Sequence, residues 1–73
     1  MKITIDLNTL NVDALFNLFS EFNRIEKFAT RHQFVELADS MIELKLNINK
    51  HLSNDGLVIA YDEPSDTFSV DVL

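Results

Sequence analysis

Apolar and polar residues recur along the chain with two different periods, and these periods predict its secondary structure. Residues 2–7 (KITIDL) alternate strictly, which is typical of a strand with one buried face. After Asn11, a favourable helix N-cap, apolar residues recur every three or four positions from residue 12 onward, which predicts helix. Residues 57–61 (LVIAY) and 67–72 (TFSVDV) are rich in β-branched and aromatic side chains and predict two further strands.

The helical region contains a signal for an interruption. Thr30 and Gln33 match the capping box, in which each side chain bonds the backbone of the other residue at a helix start. We therefore expect a break at residues 28–31 and a second helix from about 31 to 53, which stops before Gly56. One continuous helix is the alternative, although its length of ~40 residues would be unusual.

These elements predict an α+β domain over residues 1–73 with the order β-α-α-β-β. We expect a three-stranded sheet with both helices packed on one face, and a turn at residues 62–66 that Pro64 favours. The predicted core stripes are Val12, Leu15, Phe16, Phe19 and Phe22 on the first helix, and Phe34, Leu37, Ala38, Met41, Leu44, Ile48 and Leu52 on the second.

The composition limits the chemistry that the chain can support. It has no cysteine, which excludes disulfides and thiolate zinc sites. His32 and His51 lack a partner four residues away, and a calcium loop beginning at His51 fails at its first and last positions. With one glycine in the chain there is no glycine-rich phosphate loop. We therefore expect no metal site, no cofactor and no enzymatic activity.

Charge is unevenly distributed over the chain, whose net charge is −6. Residues 53–73 carry five acidic side chains and no basic one, so this end should attract basic partners and repel nucleic acid. The candidate partner-binding residues on this acidic face are Asp55, Asp62, Glu63, Asp66 and Asp71.

Two further surfaces are candidates for binding. Arg24, Lys27 and Arg31 recur on one helical face, and we expect this basic patch to pair with the acidic hairpin of a second copy or with an acidic partner. Several apolar residues lie off the core stripes and predict self-association into a homodimer, because a chain this short gains stability from association. This apolar patch comprises Leu18, Ile25, Phe28, Ile42 and Leu46.

Three functions are compatible with these features. The first is an interaction module that occupies a basic, nucleic-acid-binding surface of another protein; small acidic cysteine-free phage and mobile-element inhibitors resemble it in size and charge. The second is a homodimeric structural or assembly protein, and the third, which three basic residues support only weakly, is a DNA-binding regulator. Because no apolar run approaches ~20 residues and no secretory signal opens the chain, we expect a cytoplasmic protein without a membrane segment.

Overall fold

A computed structural model describes residues 4–73 as a helical hairpin packed against a β-hairpin. The helices are α1 (Val12–Arg31) and α2 (Val35–Ser53), the strands are β1 (Leu57–Asp62) and β2 (Thr67–Val72), and a 3-10 turn spans Leu7–Thr9. Neither helix is apolar over a length that could cross a lipid bilayer. The protein is a small α+β fold, with one layer of helices and one of strands.

Residues 4–73 form helices and strands in the order α-α-β-β, and their sheet has two strands. The predicted three-stranded sheet with the order β-α-α-β-β is therefore wrong. Of the predicted first strand, residues 2 and 3 lie outside the described part of the chain, and Leu7 belongs to the 3-10 turn. The Asp6 carboxylate accepts from the Asn8 N–H at 3.1 Å, and the Thr9 hydroxyl donates to the Asp6 carbonyl at 3.0 Å. Such local bonds between side chains and backbone compete with strand pairing.

The β-hairpin follows the predicted strands and turn. Its register pairs Leu57 with Val72, Ile59 with Val70 and Tyr61 with Phe68, so these three cross-strand pairs share the face toward the helices. The turn has Pro64 at its second position and closes with the Asp66 N–H donating to the Glu63 carbonyl at 3.2 Å.

The region forms two helices as predicted, but the break lies at residues 32–34 and not at residues 28–31, which belong to α1. Thr30 lies inside α1, the predicted start at residue 31 is the end of α1, and Gln33 has a left-handed φ of 62°. The Gln33 N–H donates to the Thr30 carbonyl at 3.2 Å and the Phe34 N–H donates to the Ala29 carbonyl at 2.8 Å. These two bonds form a Schellman C-cap of α1, so the predicted capping box at the start of a helix is wrong.

The core lies between α1, α2 and the inner face of β1. It contains Leu15, Phe19, Phe22, Met41, Leu44, Ile48, Leu52 and Ile59, as the predicted stripes and strand alternation indicate. Phe34 is the exception, since it is 51% exposed and its ring lies 6.1 Å from that of Phe28. Phe34 is the last residue of the Schellman C-cap of α1. An apolar residue at this position typically packs on the last turn of the helix that it follows, so Phe34 contacts Phe28 and does not point into the core.

The side chain of Asn49 joins α2 to the outer edge of β1. Its Oδ1 accepts from the Ile59 N–H at 2.8 Å, and its Nδ2 donates to the Ile59 carbonyl at 3.1 Å. Ile59 is 3% exposed, so these backbone groups have little access to water. Asn49 therefore takes the place of a neighbouring strand at the middle of β1.

The left-handed residue between the helices should be a site for stabilisation. Replacing Gln33 by Gly removes the steric penalty of a left-handed side chain, and we expect the free energy of unfolding to rise by about 1 kcal/mol. Urea denaturation would measure this, with Gln33→Ala as the control that loses the side chain and keeps the penalty. Equal stabilities of the two variants would contradict the assigned backbone conformation.

Removing the Asn49 amide should destabilise the fold strongly. Asn49→Ala leaves two buried backbone groups of Ile59 without partners, and we expect a loss of about 2–3 kcal/mol. Asn47→Ala is the matched control, because Asn47 is exposed on the same helix. If both substitutions lower the thermal midpoint by the same amount, the bonds to Ile59 do not hold β1 in place.

Candidate functional site

The basic patch and the acidic hairpin, predicted as separate surfaces, meet in one cluster. The Lys27 ammonium donates to the Tyr61 hydroxyl, which in turn donates to Asp66 Oδ1 at 2.8 Å. Lys27 Nζ also lies 3.6 Å from Asp66 Oδ1 and 4.6 Å from the centre of the Tyr61 ring. The structure therefore joins α1 to the hairpin turn through a chain of three polar side chains.

Each member of this cluster is positioned by the local fold. Tyr61 is on the helix-facing side of β1, and its ring packs 4.8 Å from that of its cross-strand neighbour Phe68. Phe68 in turn meets Phe16 and Phe19 edge-on at 6.2 and 6.1 Å. Asp66 has a left-handed φ of 54°, a conformation that aspartate tolerates in turns.

The cluster shifts the protonation equilibria of its two charged members. The hydrogen bond from Tyr61 and the nearby Lys27 charge lower the pKa of Asp66 below its ordinary value. The hydrogen bond to Tyr61 raises the pKa of Lys27 above its ordinary value; burial opposes this rise to a smaller extent, and the Asp66 carboxylate adds to it. Both groups are solvent-exposed, so these shifts are screened and describe an ion pair at the surface.

A second polar group lies deeper, between the two helices. Lys45 of α2 forms an ion pair with Glu26 of α1 and donates to Asn23 Oδ1 at 2.8 Å. Asn23 is 6% exposed, and the Lys45 ammonium lies 5.6 Å from the Phe19 ring centre. The sequence analysis missed this group, although Asn23 and Glu26 follow Phe19 by four and seven residues and so fall on its helical stripe.

Two shallow clefts flank Lys27 between α1 and the hairpin. The first has a volume of about 590 Å³ and the second about 470 Å³. Among their lining residues are Arg24, Arg31, Glu63 and Asn23. Such open clefts, lined mostly by polar and charged residues, suit contact with charged groups on a protein surface better than enclosure of a small molecule.

The histidines and carboxylates of residues 4–73 do not gather into a group that could hold a metal ion. His32 is the C-cap of α1 and packs 4.4 Å from the Phe28 ring, whereas the prediction had placed it in the first turn of the second helix. His51 is in the last turn of α2, as predicted.

The five predicted acidic residues are all exposed but do not have equal surroundings. Asp66 is paired with Lys27. The other four have no cationic partner among residues 4–73; they are Asp55, Asp62, Glu63 and Asp71. Asp71 pairs across the hairpin with Val58 and Asp62 with Thr67, which puts both on the face away from the helices.

The basic patch is partly neutralised within the chain. Arg24 contacts Glu21 at 3.2 Å and Lys27 contacts Asp66, while Arg31 has no carboxylate partner among residues 4–73. The acidic hairpin that was expected to meet this patch from a second copy thus meets it within the same chain.

The five residues of the predicted apolar patch do not share one face. Leu18 packs against the core, whereas Ile25, Phe28, Ile42 and Leu46 are 38–64% exposed.

The exposed residues of the two helices point in different directions relative to the hairpin. Ile42 and Leu46 are within about 60° of Asn49 around α2, and Asn49 faces the hairpin. Ile25 and Leu18 are about 160–180° from Lys27 around α1, and Lys27 also faces the hairpin. Self-association through these residues stays a prediction.

Comparison with known proteins gives no relative from which a role could be taken. No family model matches the chain, and neither a curated protein nor a solved structure matches it.

The shifted pKa of Asp66 predicts how its contribution to stability depends on pH. Because the folded-state pKa is lowered, the contribution is present above the ordinary aspartate pKa of about 4 and is lost as pH falls through the folded value. Asp66→Asn should therefore be less stable than the parent at pH 7 and equally stable in strong acid. Asp71→Asn is the control, and a similar pH-dependent loss in that variant would argue against a specific role for the Lys27–Tyr61–Asp66 cluster.

Proposed function

We propose that this protein is an interaction module that binds a basic surface of a larger protein through its acidic hairpin. The observation that carries the proposal is the set of exposed carboxylates without cationic partners in residues 4–73, held on the β-hairpin and on the turn that leads into β1. They are Asp55, Asp62, Glu63 and Asp71.

The way in which the hairpin is anchored supports a recognition role. Asn49 holds the middle of β1 through Ile59, and Lys27 holds the turn through Tyr61 and Asp66. A surface that is already ordered loses little conformational entropy when it binds, which raises affinity for a given set of contacts. The cost of the anchor is one carboxylate, Asp66, which is used inside the molecule.

The distribution of charge supports a basic partner. Residues 53–73 carry five of the twelve acidic side chains and none of the six basic ones. A concentrated negative field accelerates encounter with a positive surface and repels acidic ones, and salt weakens this effect. Nucleic acid is therefore disfavoured as a ligand, and the internal pairing of Arg24 and Lys27 reduces the basic surface further.

Nucleic-acid-binding proteins are the class of target with the most strongly basic surfaces. The finer proposal is an inhibitor that covers such a surface in the cytoplasm, in the manner of small acidic phage or mobile-element proteins. Its action is binding rather than catalysis, which agrees with the open clefts around Lys27.

A pair of charge-reversal variants tests the recognition role. In the first, Asp62, Glu63 and Asp71 are replaced by Lys, and in the second Glu36, Asp39 and Glu43, which are exposed on α2, are replaced in the same way. The net charge changes equally in both. Tagged protein would be incubated with bacterial lysate at low salt, eluted with a salt gradient and the eluate identified by mass spectrometry.

We expect the parent and the α2 variant to retain one basic protein, and the hairpin variant to bind it at least about tenfold more weakly. Circular dichroism would establish that all three proteins are folded. Capture that depends equally on both triplets would mean that total charge acts rather than the hairpin, and capture that neither triplet alters would remove the acidic face from the interaction.

A further inference from the structure

The outer edge of β2 carries unpaired backbone groups in the part of the chain that the structure describes. The Leu73 N–H donates to the Gly56 carbonyl at 2.8 Å, which sets the alternation of the antiparallel ladder. Residues at even positions of β2 therefore direct N–H and C=O away from β1, as Ile59 does on the other edge toward Asn49. Phe68, Val70 and Val72 thus present a row of free donors and acceptors.

The same segment exposes apolar side chains. Val70 is 39% exposed, Val72 is 83% exposed and Leu73 is 71% exposed. The cross-strand register puts Val70 and Val72 on the same face as Phe68, which packs on the helices. They therefore extend the apolar face of the sheet beyond the part that the helices cover. A free edge next to uncovered apolar side chains is a place where another strand can add.

We propose that this edge binds β2 of a second copy of the chain, antiparallel and about a two-fold axis at Val70. The two hairpins then form one four-stranded sheet. This inference is independent of the proposed recognition of a basic protein and concerns a different surface from the helical patch predicted from the sequence.

Backbone geometry restricts the possible registers. In the new strand pair, residues whose N–H and C=O point away from β1 must lie opposite each other. Because these are the even-numbered residues of β2, a two-fold axis passes through one residue position and not between two. The symmetric pair is therefore centred on one of residues 68 to 72. Centring on Val70 pairs all of residues 67–73 and gives the longest overlap. It places Val72 opposite Phe68 of the second copy and forms about six backbone hydrogen bonds.

Charge is compatible with this register and disfavours a neighbouring one. Centring on Val70 places Asp71 opposite Ser69 of the second copy, whereas centring on Asp71 would place two carboxylates directly opposite each other. Like charges at opposed positions destabilise a strand pair, and a carboxylate beside a hydroxyl does not. The segment is thus complementary to itself in its longest register.

A second copy is a better partner for this edge than an unrelated strand, because pairing two identical edges gives a closed dimer. Asn49 occupies the middle of the β1 edge, so in residues 4–73 the β2 edge is the one left open along its centre. Pairing of two such edges uses both and leaves no template for a third chain, which gives a closed two-fold dimer. The contact is small compared with stable interfaces, so we expect a weak dimer with a Kd above about 1 μM.

A single-cysteine crosslink tests the register, because the chain has no other cysteine. At the two-fold axis the Cα atoms of residue 70 would be ~5.5 Å apart, within the range for a disulfide. Val70→Cys should therefore form a covalent dimer on mild oxidation. Val72→Cys is the matched control; its Cα would be ~13 Å from its counterpart, too far for a disulfide, although this position is the more exposed one.

We expect at least tenfold faster dimer formation by Val70→Cys than by Val72→Cys, measured by non-reducing electrophoresis over time. Equal rates, or a faster rate for Val72→Cys, would overturn the register. Circular dichroism of both variants would verify folding.

Sedimentation of variants at Ser69 gives a second test without crosslinking. In the proposed register, residue 69 of each copy lies opposite Asp71 of the other copy. Ser69→Lys therefore forms two pairs of opposite charge and should strengthen the dimer severalfold at low salt, whereas Ser69→Asp should weaken it. Sedimentation equilibrium from ~1 μM to ~1 mM would measure both against the parent, in a range that starts at the lower limit expected for the Kd. A parent that stays monomeric at the highest concentration, or an equal response to Lys and Asp, would overturn the proposal.

Discussion

The pair of hydrogen bonds between the Asn49 amide and the Ile59 backbone is the constraint on which the rest of the structure depends. A two-stranded hairpin alone is marginal in water, and it needs a surface to pack against. Asn49 supplies that attachment at the centre of β1, where Ile59 enters the core. The strand is held by its backbone as well as by its side chain, so the third strand that the sequence suggested is not required for a stable layer.

Fixing β1 in this way also decides which charges meet. Once Ile59 is attached to α2, Tyr61 lies over α1 and Asp66 comes within reach of Lys27. One carboxylate of the hairpin is then neutralised, while those at its two ends and on its outer face keep their charge. The molecule therefore has one flank whose charges are paired internally and a hairpin whose remaining carboxylates give it a strongly negative surface.

Local signals in the sequence were sufficient for much of the fold. The stripe of α2, the stop at Gly56 and the strand alternation each depend on residues within one element, and the structure follows them. Thr30 and Gln33 do bond to each other, but through their backbones at a helix end, because side-chain patterns do not reveal the left-handed φ of Gln33. The alternation at residues 2–7 correctly marked Ile5 and Leu7 as partly buried, yet local bonds at Asp6 give a turn. The Lys27–Tyr61–Asp66 cluster was beyond such reasoning, since its members are distant in sequence.

The order α-α-β-β has a consequence for the way the chain reaches its structure. Each half is a hairpin made of consecutive elements, and the two halves are joined at Gly56 without a crossover. Chains whose contacts are mostly local in sequence close short loops first and fold on the microsecond-to-millisecond scale, much faster than sheets built from distant strands. The sheet described by residues 4–73 contains only two consecutive strands, so no pairing within it closes a long loop, and the search for the native topology is reduced to docking one hairpin on the other.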